Sequence, residues 1–192
     1  MYLINKKIVI RSWLLFIICG QCWANESAVY ITFLNIYQSP EPNYYDLDLT
    51  FNISLSKKLI KALENSVPLT FEVEVSVHEK RDWLWDKKIK TVKARYLIVY
   101  QTLSQKFLLQ NLSTGHTNTY PDLTQTLNAM GKAPQFPQVH KKYLQMTQRG
   151  YLKAKVSLVL NQLPVAMQAQ AYLRPTWQVS SEWYSTPIPQ NL

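Results

Sequence analysis

The sequence predicts an α+β domain built mainly of antiparallel β-sheet, sandwich-like in its possible closure, with two or three short helices. Three observations carry this. Apolar and polar side chains alternate with period two in residues 45–53, 71–78 and 151–160. Strand-like stretches follow one another directly instead of alternating with helices, which favours antiparallel over parallel pairing. Well-marked helical spacing appears in only two segments.

Residues 29–38 are mostly β-branched, aromatic or large and apolar, and read as a first strand that Ser39-Pro40-Glu41-Pro42-Asn43 breaks. In residues 45–53, Leu47, Leu49, Phe51 and Ile53 share one face and Asp46, Asp48, Thr50 and Asn52 the other. Leu55, Leu59, Ala62 and Leu63 then recur at helical spacing, with Ser54 or Ser56 as N-cap, and Val67-Pro68 ends that helix. A long strand follows in which Phe71, Val73, Val75 and Val77 oppose Glu72, Glu74, Ser76 and His78.

Its partner covers residues 90–103, and a turn near Trp83 and Leu84 sets Glu72 beside Arg95 and Glu74 beside Lys93, a register that opposite charges favour. Strands at 106–112 and 116–120 join through Thr114-Gly115, and a helix runs from Pro121-Asp122 to Gly131. A proline-punctuated loop spans 133–139. Residues 140–148 and 165–173 fit more than one element, whereas Leu152, Ala154, Val156, Leu158 and Leu160 mark an inward strand face, and residues 177–184 read as a terminal strand. Tyr96, Tyr100, Trp177 and Trp183 are expected mainly in the core, since large aromatics on strands usually bury their rings.

The N-terminus places Lys6, Lys7 and Arg11 before the apolar run 13–19, and Cys22 and Ala24 supply the small side chains that a signal peptidase requires before its cut. Residues 1–24 are therefore expected to be a cleavable signal peptide and 25–192 a single β-rich mature domain, periplasmic or secreted. Arg11 leaves too short an apolar stretch for a membrane-spanning helix. Both cysteines fall in the leader, so the mature chain is expected to form no disulfide. Losing three cations takes the net charge from +9 to +6, which favours anionic neighbours such as phospholipid head groups; nucleic acid is a poor partner outside the cell.

The residue types that carry chemistry are scattered. His78, His116 and His140 are far apart in sequence, so no metal site is expected. Ser180 and Ser181 stand beside Glu182 without the glycine elbow that a serine nucleophile uses. Gly115, Gly131 and Gly150 are isolated, which argues against a phosphate-cradling loop and against nucleotide cofactors. The pairs Asp46 with Asp48 and Glu72 with Glu74 are simplest as solvated strand faces. The expectation is a protein that is not an enzyme and holds no cofactor.

The segment Glu79-Lys80-Arg81-Asp82-Trp83-Leu84-Trp85-Asp86-Lys87-Lys88 combines aromatics with positive charge. Tryptophan suits a membrane interface or a partner groove and cations suit anionic groups, which makes Lys80, Arg81, Trp83, Trp85, Lys87 and Lys88 candidate docking residues. The alternative is that both tryptophans fold back onto the sheet.

That hairpin, the strand Tyr96-Leu97-Ile98-Val99-Tyr100-Gln101 with its continuation to Phe107, Leu163-Pro164, and the ending Trp177-Gln178-Val179-Ser180-Ser181-Glu182-Trp183-Tyr184 together resemble the proteobacterial domain-of-unknown-function family 4390. The family's usual adjacent hairpin tryptophans are here separated by Leu84. The resemblance implies an exported protein with no assigned reaction, from a family often encoded beside a membrane sensor histidine kinase. A binding or accessory protein of the cell envelope, contacting a membrane protein or an anionic envelope surface, is the leading expectation. A hydrolase using Glu182 or a paired carboxylate, and a carrier of an apolar ligand, are the alternatives.

Overall fold

The computed structural model describes residues 27–189, and the leader expected over residues 1–24 lies outside them. Strands β1 (Ala28–Gln38), β2 (Tyr44–Ser54) and β7 (Val139–His140) form a three-stranded sheet in the order β1-β2-β7. The second sheet contains β3 (Leu69–Glu79), β4 (Lys87–Gln101), β5 (Lys106–Asn111), β6 (Thr117–Tyr120), β8 (Gly150–Leu158) and β9 (Tyr184–Pro187), in the order β6-β5-β4-β3-β8-β9. All pairings in both sheets are antiparallel. Four short helices complete the described residues: α1 (Lys57–Glu64), α2 (Leu123–Met130), α3 (Lys141–Gln145) and α4 (Val165–Leu173). The class is α+β, and residues 140–148 and 165–173 provide the two helices that the sequence left open.

Alternation decides which face is dry. Phe71, Val73, Val75 and Val77 of β3 are buried beside Ala94, Tyr96 and Ile98 of β4 and Leu152, Ala154, Val156 and Leu158 of β8. Val29, Ile31, Leu34 and Ile36 of β1 and Leu47, Leu49 and Phe51 of β2 belong to the same cluster, so the two sheets share one core. Burying each of the Val, Leu, Ile and Phe side chains among them contributes about 1.5–3 kcal/mol. In β1 the buried positions switch from odd to even numbers at a bulge, where Thr32 has no opposite residue and its hydroxyl donates to the Thr50 carbonyl at 3.1 Å.

The expected β3–β4 register is the one observed: Glu72 lies opposite Arg95 and Glu74 opposite Lys93. Ser56 caps α1, accepting from Leu59 N, and Asp122 caps α2, accepting from Gln125 N at 2.8 Å. Gly131 ends α2 with an ordinary helical φ of −61°. It has to be glycine for a different reason: a Cβ there would run into the Phe51 carbonyl oxygen, because Gly131 O accepts from Phe51 N at 2.8 Å and docks the helix end on β2.

Residues 177–184 correct the sequence reading, for they do not form a continuous strand. Pro175–Trp177 make a 3-10 turn, and only Val179 and Ser181 bond the edge of β8 before regular pairing resumes in β9. Ser181 Oγ accepts from Val156 N at 3.0 Å, so a hydroxyl stands where a ladder carbonyl would be.

Candidate functional site: an exposed tryptophan hairpin tip

Strands β3 and β4 are long, and their alternation lapses after Glu79, where the sequence turns to charged and aromatic residues. The connection therefore projects beyond the sheet. At its apex Trp83 is 95% exposed, Leu84 67% and Trp85 93%. Of the two readings of this segment, the observed one leaves both indoles in solvent. Lys80, Arg81, Lys87 and Lys88, the cations on its two arms, are exposed as well.

The tip is nevertheless fixed in place. Arg149 grips Asp82 through both guanidinium nitrogens, each at 2.8 Å. Glu79 accepts from the backbone N–H groups of Gln148 and Arg149, and Lys80 N donates to Arg149 O. Across the loop, Arg81 N donates to Asp86 Oδ1 at 3.2 Å and Tyr151 Oη donates to Asp86 Oδ2 at 2.5 Å. The Tyr151 ring stacks on His78 with centroids 5.3 Å apart.

These contacts set the electrostatics. The hydrogen bonds from Arg149 hold Asp82 below the usual carboxylate range, and that from Tyr151, helped by Arg81 N, does the same for Asp86. Burial, with the hydrogen bond to Asp86, raises the Tyr151 phenol to about 12. Burial and the neighbouring Lys153 and Lys88 lower His78, whose Nε2 lies 2.9 Å from Ser76 Oγ. Both tip carboxylates are thus ionised and internally bonded, while among the described residues Lys80, Arg81 and Lys87 form no ion pair.

The six-stranded sheet turns its outer face toward solvent and continues the positive field. Lys88, Lys93 and Arg95 of β4 bridge Glu72 and Glu74, and Lys153 and Lys155 of β8 stand on the same face. Five cations thereby face two carboxylates. Burial acts to raise Glu72, but hydrogen bonds from Lys93 and Arg95 prevail and lower it. Trp183, expected in the core, is 42% exposed and lies beneath Lys153 and Lys155 at 5.8 and 5.6 Å. The strand lapse before β9 carries it to the outer face. Tyr96 and Trp177 are buried as expected, with Tyr96 Oη donating to Pro134 O at 3.0 Å, and Tyr100 is half-buried against Phe107.

A groove of about 530 Å³ opens beside the hairpin, lined by Lys80, Asp86 and residues 148–151 and 185–188. The other candidates do not converge. Ser181 is buried and engaged with Val156, while Ser180 and Glu182 are exposed. Asp46 accepts from Gln138. His116 pairs with Asn118, and His140 accepts from Lys142 N at the start of α3. Among the described residues no three His, Cys, Asp or Glu side chains are grouped to hold a metal ion.

The tip, the β4 run through Phe107 and the Ser180-Ser181-Glu182-Trp183 segment lie within one match: the family described as Domain of unknown function (DUF4390) covers residues 31–187. The chain belongs to this family. No curated protein and no solved structure matches it. For this DUF4390 chain, the residues that sequence reading missed are Arg149 and Tyr151. They reach the tip because β8 pairs with β3 and begins at Gly150, level with Glu79. The acidic residues Glu79, Asp82 and Asp86 were the available signal that the tip needed cationic or hydroxyl partners.

Proposed function

We propose that this protein is a non-enzymatic binding or accessory module of the cell envelope, exported with cleavage after Ala24, that docks through the β3–β4 tip. The observation that carries the reading is the near-complete exposure of Trp83 and Trp85 at the apex of a hairpin held by Arg149 and Tyr151. Isolated exposed apolar residues are ordinary, but three in succession on a fixed projection mark an interaction surface. Rigid indoles give large contact area at little conformational cost.

The cations Lys80, Arg81, Lys87 and Lys88 favour an anionic counterpart, either an envelope surface or an acidic patch of a membrane protein. A sensor kinase, the association suggested by the family resemblance, is one such membrane protein. The groove beside the tip is lined by Lys80 and by Asp86, whose carboxylate is bonded to Tyr151 Oη and Arg81 N.

Envelope retention tests the reading. After mild crosslinking of cells, the fraction of tagged protein recovered with the envelope is compared between the native chain and the Trp83→Ala, Trp85→Ala variant. Retention that disappears with the folded variant is expected; equal retention of both removes the tip from the mechanism.

A further inference from the structure

Resting on that docking reading, we infer that the surface the tip engages is an anionic phospholipid bilayer, with Trp83, Leu84 and Trp85 entering the interface and the flanking cations lying among the head groups. The apolar triplet stands at the apex of the hairpin, with both indoles almost entirely exposed and Leu84 two-thirds exposed among the described residues. A wedge of this kind needs no shaped receptor. Tryptophan residues favour the boundary between head group and acyl chain, where the ring is in an apolar medium and its N–H stays wet.

The distribution of charge selects the sign of the lipid. Lys80, Arg81, Lys87 and Lys88 all lie within four residues of Leu84, at most about 14 Å of chain away. When the triplet reaches the acyl boundary, they fall at head-group depth. The carboxylates that would oppose an anionic surface, Glu79, Asp82 and Asp86, are bonded within the chain, to the N–H groups of Gln148 and Arg149, to the Arg149 guanidinium, and to Tyr151 Oη and Arg81 N respectively. Behind the tip, Lys93, Arg95, Lys153 and Lys155 outnumber Glu72 and Glu74 on the uncovered sheet face and extend the attraction. The hairpin is fixed before contact, so little ordering entropy opposes insertion.

The test is sedimentation of the purified exported protein with vesicles of phosphatidylethanolamine and phosphatidylglycerol, and separately with vesicles of phosphatidylcholine alone. Binding to the anionic vesicles, weakened by salt, is expected, with little binding to the neutral ones. Each cation near an anionic surface changes affinity by about fivefold, so Lys80→Glu with Arg81→Glu is expected to weaken binding by at least about tenfold. Trp83→Ala with Trp85→Ala is expected to abolish it and also the blue shift of tryptophan emission. Circular dichroism checks that each variant is folded.

Equal binding to both vesicle types, or binding that survives the tryptophan substitutions, overturns the assignment. So does failure to bind anionic vesicles while envelope retention stays tip-dependent. That last pattern leaves the docking reading standing with a protein as the counterpart, whereas loss of tip-dependent retention itself overturns both.

Discussion

The body and the tip of the β3–β4 hairpin use large apolar side chains in opposite ways. In the body Phe71, Val73, Tyr96 and Ile98 are fully buried, whereas at the far end of the same hairpin Trp83 and Trp85 are almost entirely exposed. Both are fixed in conformation. The body is held by packing, the tip by Arg149, Tyr151 and backbone bonds to Glu79. Apolar surface in the body is therefore spent on folding, and apolar surface at the tip contributes almost nothing to it.

Substitutions sharpen the contrast. Phe71→Ala removes a fully buried ring from the first part of β3 and is expected to cost about 3–5 kcal/mol in urea unfolding. Ser181→Ala leaves the buried Val156 N–H without its acceptor and is expected to cost about 1–3 kcal/mol by the same measurement. A loss as small as that of a surface substitution would mean that residues 177–184 are not latched to β8.

Acidity separates the two regions further. His78 sits below its ordinary pKa of 6.5 in the folded protein, through burial and then Lys153 and Lys88. Above that value both states are neutral there and His78 contributes no pH dependence. As the pH falls through it, the unfolded chain takes up a proton that the folded one resists, so stability drops until the folded pKa is reached. Unfolding between about pH 8 and pH 5.5 is expected to show this loss in the native chain and less of it in His78→Gln. Glu72 acts lower: its depressed pKa adds stability above the ordinary 4.5 that is lost as pH falls below it.

Arg149→Ala addresses the tip alone. It is expected to leave the unfolding transition nearly unchanged while limited trypsin cleaves faster at Lys80, Arg81, Lys87 or Lys88. An unchanged cleavage rate would show that Asp82 does not hold the loop.

Elements whose residues alternate without interruption were readable from sequence, including the β3–β4 register, because Glu72, Glu74, Lys93 and Arg95 specify it by charge. In β1 the bulge at Thr32 divides the alternation into two halves out of phase, which left its faces illegible although the strand itself was clear. Residues 177–184 have the composition of a strand, but the 3-10 turn at Pro175–Trp177 and the Ser181 hydroxyl replace regular pairing, and Trp183 consequently leaves the core. At the site, the composition of the tip identified its tryptophans and cations. The exposure of the tryptophans and the restraint by Arg149 and Tyr151 depend on where β8 begins against β3, a long-range pairing that no local pattern encodes.

Trp83→Ala with Trp85→Ala is the smallest expected perturbation of stability, within about 0.5 kcal/mol, and the largest of binding. Envelope retention of this variant, measured on protein whose unfolding transition coincides with that of the native chain, tests the division between body and tip most directly. Loss of retention with the transition unmoved is the predicted result. Full retention, or a transition lowered as far as by Phe71→Ala, would contradict it.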